Sequence, residues 1–212
     1  MINILKNNPI FVFKSVLCLD GDLPDLTFLK AINVPLIAAD GALNKLAIND
    51  IWPLCVIGDL DSAKQEYQNK VKTLKNIDQN TNDFEKSLSY LSENNLLPTL
   101  VLGMNGGYLD QILNNIDIAI KNDVIIYTPP LIGKILRNKT VLTLEKNTKI
   151  SLFGNAVLST KGLKWDLENE KLSFAFKNSA LNRVQNEEVV LDIKEGFVLC
   201  LIYTIPINDM GI

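Results

Sequence analysis

Short apolar runs recur along the chain up to residue 128, at Ser15–Leu19, Leu36–Ala39, Cys55–Gly58, Thr99–Leu102 and Val124–Tyr127, with a weaker one centred on Leu74–Ile77. Runs so short and so apolar suit strands buried on both faces of a parallel sheet. Helical patterns separate them. In Asn82–Asn94, Phe84, Leu88 and Leu91 share one face, and Asn82 with Glu85 three residues on has the form of a capping box. In Asp110–Lys121, Ile112, Ile116, Ala119 and Ile120 share an apolar side. Strands alternating with helices imply a parallel sheet covered by helices on both faces.

The pattern changes at Thr128-Pro129-Pro130. Beyond it come short β-like runs, Val141–Leu144, Ile150–Phe153, Ala156–Thr160, Leu172–Phe176, Val189–Ile193 and Phe197–Tyr203, separated by Asn, Gly, Lys and Glu. Their spacing predicts a small antiparallel sandwich. The expected fold class is therefore α/β: a three-layer parallel-sheet domain over residues 1–133, then an antiparallel β-sandwich over residues 134–212.

Composition narrows the chemistry. The 212 residues contain no histidine, which removes Ser-His-Asp and Cys-His catalysis and any His-bound metal. Acid–base and metal chemistry then rests on oxygen ligands, and Mg²⁺ is the natural metal. A net charge of −3 without a basic cluster argues against nucleic acid as a partner. The three cysteines, Cys18, Cys55 and Cys200, lie far apart in apolar runs. They read as buried small side chains in a reducing cytoplasm. No segment has the long apolar core of a signal peptide or membrane span.

In open α/β sheets, ligands bind beyond the carboxyl ends of the strands. Here those ends carry Asp20-Gly21-Asp22, Asp40-Gly41, Gly58-Asp59-Leu60-Asp61-Ser62, Asp78-Gln79-Asn80-Thr81-Asn82-Asp83, and Gly103 through Asp110. Any one Asp in such a place is an ordinary turn former or helix cap. Five consecutive acid- or glycine-bearing ends predict carboxylates gathered on one edge, where a bound cation offsets their repulsion. Asp59 and Asp61, two apart in a turn, are placed to present both carboxylates to one ion. Gly103–Gly107 runs into a helix start, an arrangement that aims backbone N–H groups at phosphate, although no GK[ST] follows.

These segments resemble the thiamine pyrophosphokinases, which carry ADGGA, GDFDS, DQxxTDFxKAL, GGRxDH, GLKWxL and SxSN segments in that order. This chain has Ala39-Asp40-Gly41-Ala42, Gly58-Asp59-Leu60-Asp61-Ser62, and Asp78-Gln79-Asn80-Thr81-Asn82-Asp83-Phe84-Glu85-Lys86-Ser87-Leu88. It continues with Gly106-Gly107-Tyr108-Leu109-Asp110-Gln111, Gly162-Leu163-Lys164-Trp165-Asp166-Leu167 and Ser179-Ala180-Leu181-Asn182. The resemblance implies transfer of pyrophosphate from ATP to the hydroxyl of thiamine, with Mg²⁺, in a homodimer. It implies that Asp59, Asp61 and Asp83 hold Mg²⁺ and phosphates, and that Asp40, Gln79 and the Gly106-Gly107-Tyr108 segment line the nucleotide cleft. Asp110 would face the reacting end, and Ser179 and Asn182 would help bind thiamine, with Trp165 either near that site or in the sandwich core.

The departures are specific. The family's Arg and His in GGRxDH are Tyr108 and Gln111, the second Ser of SxSN is Leu181, a Thr is Asn82 and a Gly is Ala42. Tyr cannot replace the charge of an Arg that grips phosphate bidentately; Lys86, Lys134 and Arg137 are the candidates to supply it. A related diphosphokinase acting on a hydroxymethyl pterin, and a nucleotide- or thiamine-binding homologue with weak catalysis, are the alternatives.

Overall fold

The structure is a computed structural model that describes residues 2–204. The chain divides into two compact units, one of Phe13–Thr128 and one of the segments Met1–Val12 and Pro129–Ile212. A short helix, α1 (Ile2–Asn7), thus goes with the second unit, whereas the sequence pattern assigns it to the first domain. Among the described residues no helix is long and apolar enough to cross a membrane.

The first unit is built on six parallel strands: β1 (Ser15–Cys18), β2 (Leu36–Ala39), β3 (Cys55–Gly58), β4 (Lys72–Lys75), β5 (Thr99–Leu102) and β6 (Val124–Thr128). Their order is β4-β3-β2-β1-β5-β6, so the direction of winding reverses between β1 and β5. A reversal of this kind opens a crevice at the carboxyl ends of the strands. β1, β3 and β5 are buried at every position, in keeping with their largely apolar sequences; the two polar residues, Ser15 and Thr99, satisfy each other by a hydroxyl bond of 2.8 Å. β4 departs from expectation. It covers Lys72–Lys75 rather than Leu74–Ile77, and it is an exposed edge strand on which lysines discourage further pairing.

Helices fill the connections between these strands. In α2 (Ala42–Ile48), Ala42, Leu43 and Leu46 are buried. The single-turn helix α3 (Gln65–Gln68) follows β3. In α4 (Asp83–Glu93), Phe84, Leu88 and Leu91 are each at most 3% exposed, so each contributes about 1.5–3 kcal/mol by burial. Its capping box forms as read. The Glu85 N–H donates to Asn82 Oδ1 at 2.9 Å, and the Asn82 N–H donates to Glu85 Oε2 at 3.1 Å. In α5 (Leu109–Lys121) the fully buried residues are Ile118 and Ala119, and Ile112, Ile116 and Ile120 are only half-buried.

The second unit is antiparallel: β7 (Leu131–Leu136), β8 (Thr140–Thr143), β9 (Lys149–Lys161), β10 (Glu170–Leu172), β11 (Ser179–Arg183) and β12 (Glu188–Tyr203). Two runs expected as separate strands are one long strand in β9, and two more are one in β12. β12 pairs with β8 through Glu188–Leu191, with β7 through Val198–Tyr203, and with β9 along most of its length. β9 pairs with β11 near its start and with β10 near its middle. The two long strands thus serve two antiparallel sets, β11-β9-β12-β7 and β10-β9-β12-β8. A bulge between Ile193 and Glu195 makes this possible. Before it the buried positions are Val189, Leu191 and Ile193; after it they include Val198, Cys200 and Ile202. The extra residue shifts the alternation by one and keeps the same face inward. Gly196 sits at this bend with φ +78°, and a Cβ there would collide with the Asn155 carbonyl oxygen. β7 and β11 are strands that the sequence pattern does not reveal.

Candidate active site

The ends of β2 and β3 and the start of α4 bring three carboxylates together. One oxygen from each of Asp40, Asp59 and Asp83 lies within 4.8 Å of the others. Asp40 follows β2 directly and has φ 36°, a left-handed conformation that a non-glycine residue adopts at a cost of about 1–2 kcal/mol. That twist turns its side chain under the loop after β3. Its Oδ2 accepts the Ser62 N–H at 3.3 Å, and its Oδ1 accepts the Ala63 N–H at 3.2 Å. Burial raises the Asp40 pKa above the ordinary carboxylate value. The two backbone bonds oppose the rise, and the charges of Asp83 and Asp61 add to it.

Gly58, before Asp59, is what lets the carboxylates approach. A Cβ at Gly58 would meet Asp40 Cβ at 2.9 Å and Asp83 Oδ1 at 3.1 Å. Asp83 opens α4, where a negative charge also suits the helix N-terminus. Its Oδ1 accepts from Lys86 Nζ at 3.1 Å, and the Lys86 side chain is only 4% exposed. The donor set is all hard oxygen, which fits Mg²⁺. Octahedral bonds of about 2.1 Å put neighbouring ligand oxygens about 3 Å apart and opposite ones about 4.2 Å apart. Small carboxylate rotations would bring these three oxygens to such spacing.

The other residues singled out in the sequence are less closely gathered. Asp61 is exposed and outside the three-carboxylate group. It accepts from Ser62 Oγ at 2.9 Å, and its N–H donates to Asp59 Oδ1 at 3.3 Å. Gln79 is exposed in a turn organised by Asp78, which accepts from Asn80 and Thr81 and whose pKa is lowered by those bonds. The loop after β5 interlocks with the loop after β1: the Asp22 N–H donates to the Asn105 carbonyl at 2.7 Å, and the Gly21 N–H to the Gly103 carbonyl at 3.2 Å. Gly106, Gly107, Tyr108 and Asp110 are all exposed or half-exposed, Tyr108 to 80%. Gln111, which stands where the family has His, accepts the Tyr108 N–H through Oε1 at 3.3 Å and so caps α5.

Two features escape a reading of the sequence. The family resemblance places Asp40 in the nucleotide and phosphate cleft; what it does not give is that Asp40 is the buried member of the carboxylate group. Lys45 fastens the loop after β1, donating to the carbonyls of Asp20 at 2.5 Å and Gly21 at 2.8 Å and pairing with Asp20 Oδ1 at 3.1 Å. An Asp-Gly step directly after an apolar run is the available signal for the first.

In the second unit, Trp165 lies in a turn and is 54% exposed, so it is not sandwich core. Asp166 shapes that turn, accepting from Thr160 Oγ1 and from the N–H groups of Gly162 and Leu163. Asn182, 2% exposed, grips the Trp165 backbone from both sides. Its Oδ1 accepts the Trp165 N–H at 3.2 Å, and its Nδ2 donates to the Trp165 carbonyl at 2.7 Å. The same Nδ2 donates to Ser179 Oγ at 3.1 Å. The indole is thus left outward on a fixed backbone, with Lys164 Nζ 4.7 Å from its ring centre.

Two family models match the chain: "Thiamin pyrophosphokinase, catalytic domain" over residues 30–127, and "Thiamin pyrophosphokinase, vitamin B1 binding domain" over residues 143–198. A rice protein named thiamine pyrophosphokinase 3 is 28% identical over 171 residues, which are 66% of this chain and 62% of that protein. The match therefore spans less than two thirds of the rice relative. A Caenorhabditis elegans protein named thiamin pyrophosphokinase 1 is 25% identical over 190 residues, covering 78% of this chain and 77% of that one. Among solved structures, a thiamine pyrophosphokinase from Bacillus subtilis superposes with a TM-score of 0.77 at 17% identity, covering 90% of this chain and 99% of that one. The yeast thiamin pyrophosphokinase gives 0.77 at 21% identity, covering 92% and 88%. The two matched segments together take in most of the sequence, in the order of the two units, and the first contains all three clustered carboxylates: the chain belongs to the thiamin pyrophosphokinase family.

Proposed function

We propose that this protein transfers the pyrophosphate of ATP to the hydroxyl of thiamine, giving thiamine diphosphate and AMP. The observation that carries the reading is the convergence of Asp40, Asp59 and Asp83 at the carboxyl edge of a parallel sheet, within the segment that matches the family's catalytic domain. The thiamine oxygen attacks the β-phosphorus, the bond from that phosphorus to the α-phosphate oxygen breaks, and AMP leaves. Mg²⁺, when bound, supplies positive charge to the phosphate oxygens and to the leaving group.

The chain's own residues prepare that site. Asp40, pinned by two N–H groups, and Asp83, held by Lys86, are preorganised, so little reorientation is needed at the moment of reaction. Asp61 supports them from the exposed side, and it and Asp110 are the two candidates to take the hydroxyl proton. Gln79 and the Gly106-Gly107-Tyr108 segment serve the nucleotide. In the second unit, the outward indole of Trp165 offers a face on which a heteroaromatic ring stacks, while Ser179 and Asn182 fix the turn that presents it. The enzyme so proposed is a homodimer acting in the cytoplasm, where three buried free thiols are at home.

The test is AMP release from ATP and Mg²⁺. AMP that appears only with added thiamine supports the reading. AMP formed with a hydroxymethyl pterin but not with thiamine would replace the substrate, and tight nucleotide binding without AMP would make the chain a binding homologue.

A further inference from the structure

Among the described residues just two charged side chains are buried, Asp40 and Lys86, and both belong to the same group. Burying an ammonium is unfavourable unless it is paired. Among the described residues Lys86 has one hydrogen-bond partner, Asp83 Oδ1 at 3.1 Å, which leaves two of its three N–H donors unspent there. The three clustered carboxylates and the one ammonium carry a net charge of −2; Asp61, exposed and outside the group, adds to it only through solvent.

We propose that Lys86 sets the charge of the cation site. It cancels one of three carboxylate charges and holds Asp83 by one oxygen, leaving a doubly negative site matched to one divalent ion rather than to a trivalent ion or a pair of ions. Lys86 is in this sense a positioning and selectivity residue that acts through Asp83. The inference rests on the reading of the carboxylate group as a cation site. It does not depend on which alcohol accepts the pyrophosphate.

The experiment measures dissociation constants for Mg²⁺ alone and Tb³⁺ alone by calorimetry, on the full chain without ATP or thiamine. Wild type binds one Mg²⁺. In Lys86→Met the ratio of Tb³⁺ to Mg²⁺ affinity rises at least tenfold, because the added negative charge favours the ion of higher charge. Lys86→Gln keeps a hydrogen bond to Asp83 without the charge and shows the same rise, so it carries the test if Lys86→Met does not fold. Lys86→Arg keeps the wild-type ratio. The double variant Lys86→Met/Asp83→Asn is again doubly negative; it returns towards the wild-type ratio while binding both ions more weakly. A ratio within twofold of wild type in Lys86→Met or Lys86→Gln overturns the proposal. Because no substrate is present, a chain that shows the shift yet makes no AMP defeats the transferase reading alone.

Discussion

Gly58→Ala tests the geometry of the site most directly. Gly58 has φ +154°, and an added Cβ would stand 2.9 Å from Asp40 Cβ and 3.2 Å from Asp83 Cγ. Asp40 cannot retreat easily, since its backbone is left-handed and its carboxylate is bonded to Ser62 and Ala63. Backbone strain costs about 1–3 kcal/mol, and overpacking a further 1–3 kcal/mol or so. At roughly 2–4 °C per kcal/mol for a chain of this size, the melting temperature should fall by about 4–24 °C. Mg²⁺ should then restore little, because the ligand oxygens are pushed apart; wild type at about 100 times its dissociation constant should gain about 2.7 kcal/mol. Calorimetric unfolding with and without Mg²⁺ reads both numbers. Gly107→Ala is the comparison, since its Cβ would displace Gln111 Oε1 and so disturb the α5 cap but not the carboxylates; it should keep the full Mg²⁺ shift. A Gly58→Ala protein that melts within about 2 °C of wild type and keeps the full Mg²⁺ shift would refute the account.

Four further outcomes are expected. Asp61→Asn should lower kcat by about 10²-fold or more while leaving the melting temperature unchanged, as Asp61 is exposed and bonds only within its own turn; near wild-type turnover would remove it from the chemistry. Asn82→Ala should lose the capping box and about 1 kcal/mol of stability, whereas Asn82→Thr should lose less, both read by denaturant unfolding. Burial raises the Asp40 pKa, so the folded state keeps that proton to higher pH than the unfolded chain does. The resulting stability is present below the ordinary carboxylate range and is lost as pH rises through the raised value, by at most about 1.4 kcal/mol per pH unit. In EDTA, wild type should therefore lose stability relative to Asp40→Asn across that window, and parallel curves would contradict it. Tyr108→Arg, at a position 80% exposed, should raise kcat/KM for ATP without affecting the fold; an unchanged value means that the charge comes from elsewhere.

The parts of the fold legible in the sequence are those where burial alone dictates the residue types. β1, β3 and β5 are covered throughout, so their sequences are apolar except for Ser15 and Thr99, whose buried hydroxyls bond to each other at 2.8 Å. β4 is set two residues late by a search for apolar runs, at Leu74–Ile77, because an edge strand needs no such run and Lys72–Lys75 holds a single apolar residue. β9 and β12 each read as two strands because Gly154-Asn155 and Lys194-Glu195-Gly196 look like turns; in the structure they are bends within continuous strands. At the site, strand-end position points to Asp40, Asp59 and Asp83 alike. The burial of Asp40 depends on β2 lying beside β3 and on a left-handed backbone at one residue, and neither has a periodic signature. Trp165 is ambiguous for the opposite reason: an outward Trp and a buried one look alike until the partner that fixes its backbone, Asn182, is known.

Asn8 is 1% exposed, and its side chain clasps one backbone position of β8: Nδ2 donates to the Thr143 carbonyl at 3.0 Å, and Oδ1 accepts the Thr143 N–H at 2.8 Å. The two residues are 135 apart in the chain. On the ribosome, Asn8 is therefore made long before the partner it must close upon, while residues 13–128 between them form a contiguous unit able to fold first. The segment around Asn8 has to be held in reserve, without its β8 partner, until β8 emerges. Newly made chain shorter than about residue 143 should thus be open to protease around Asn8 while residues 13–128 are already protected.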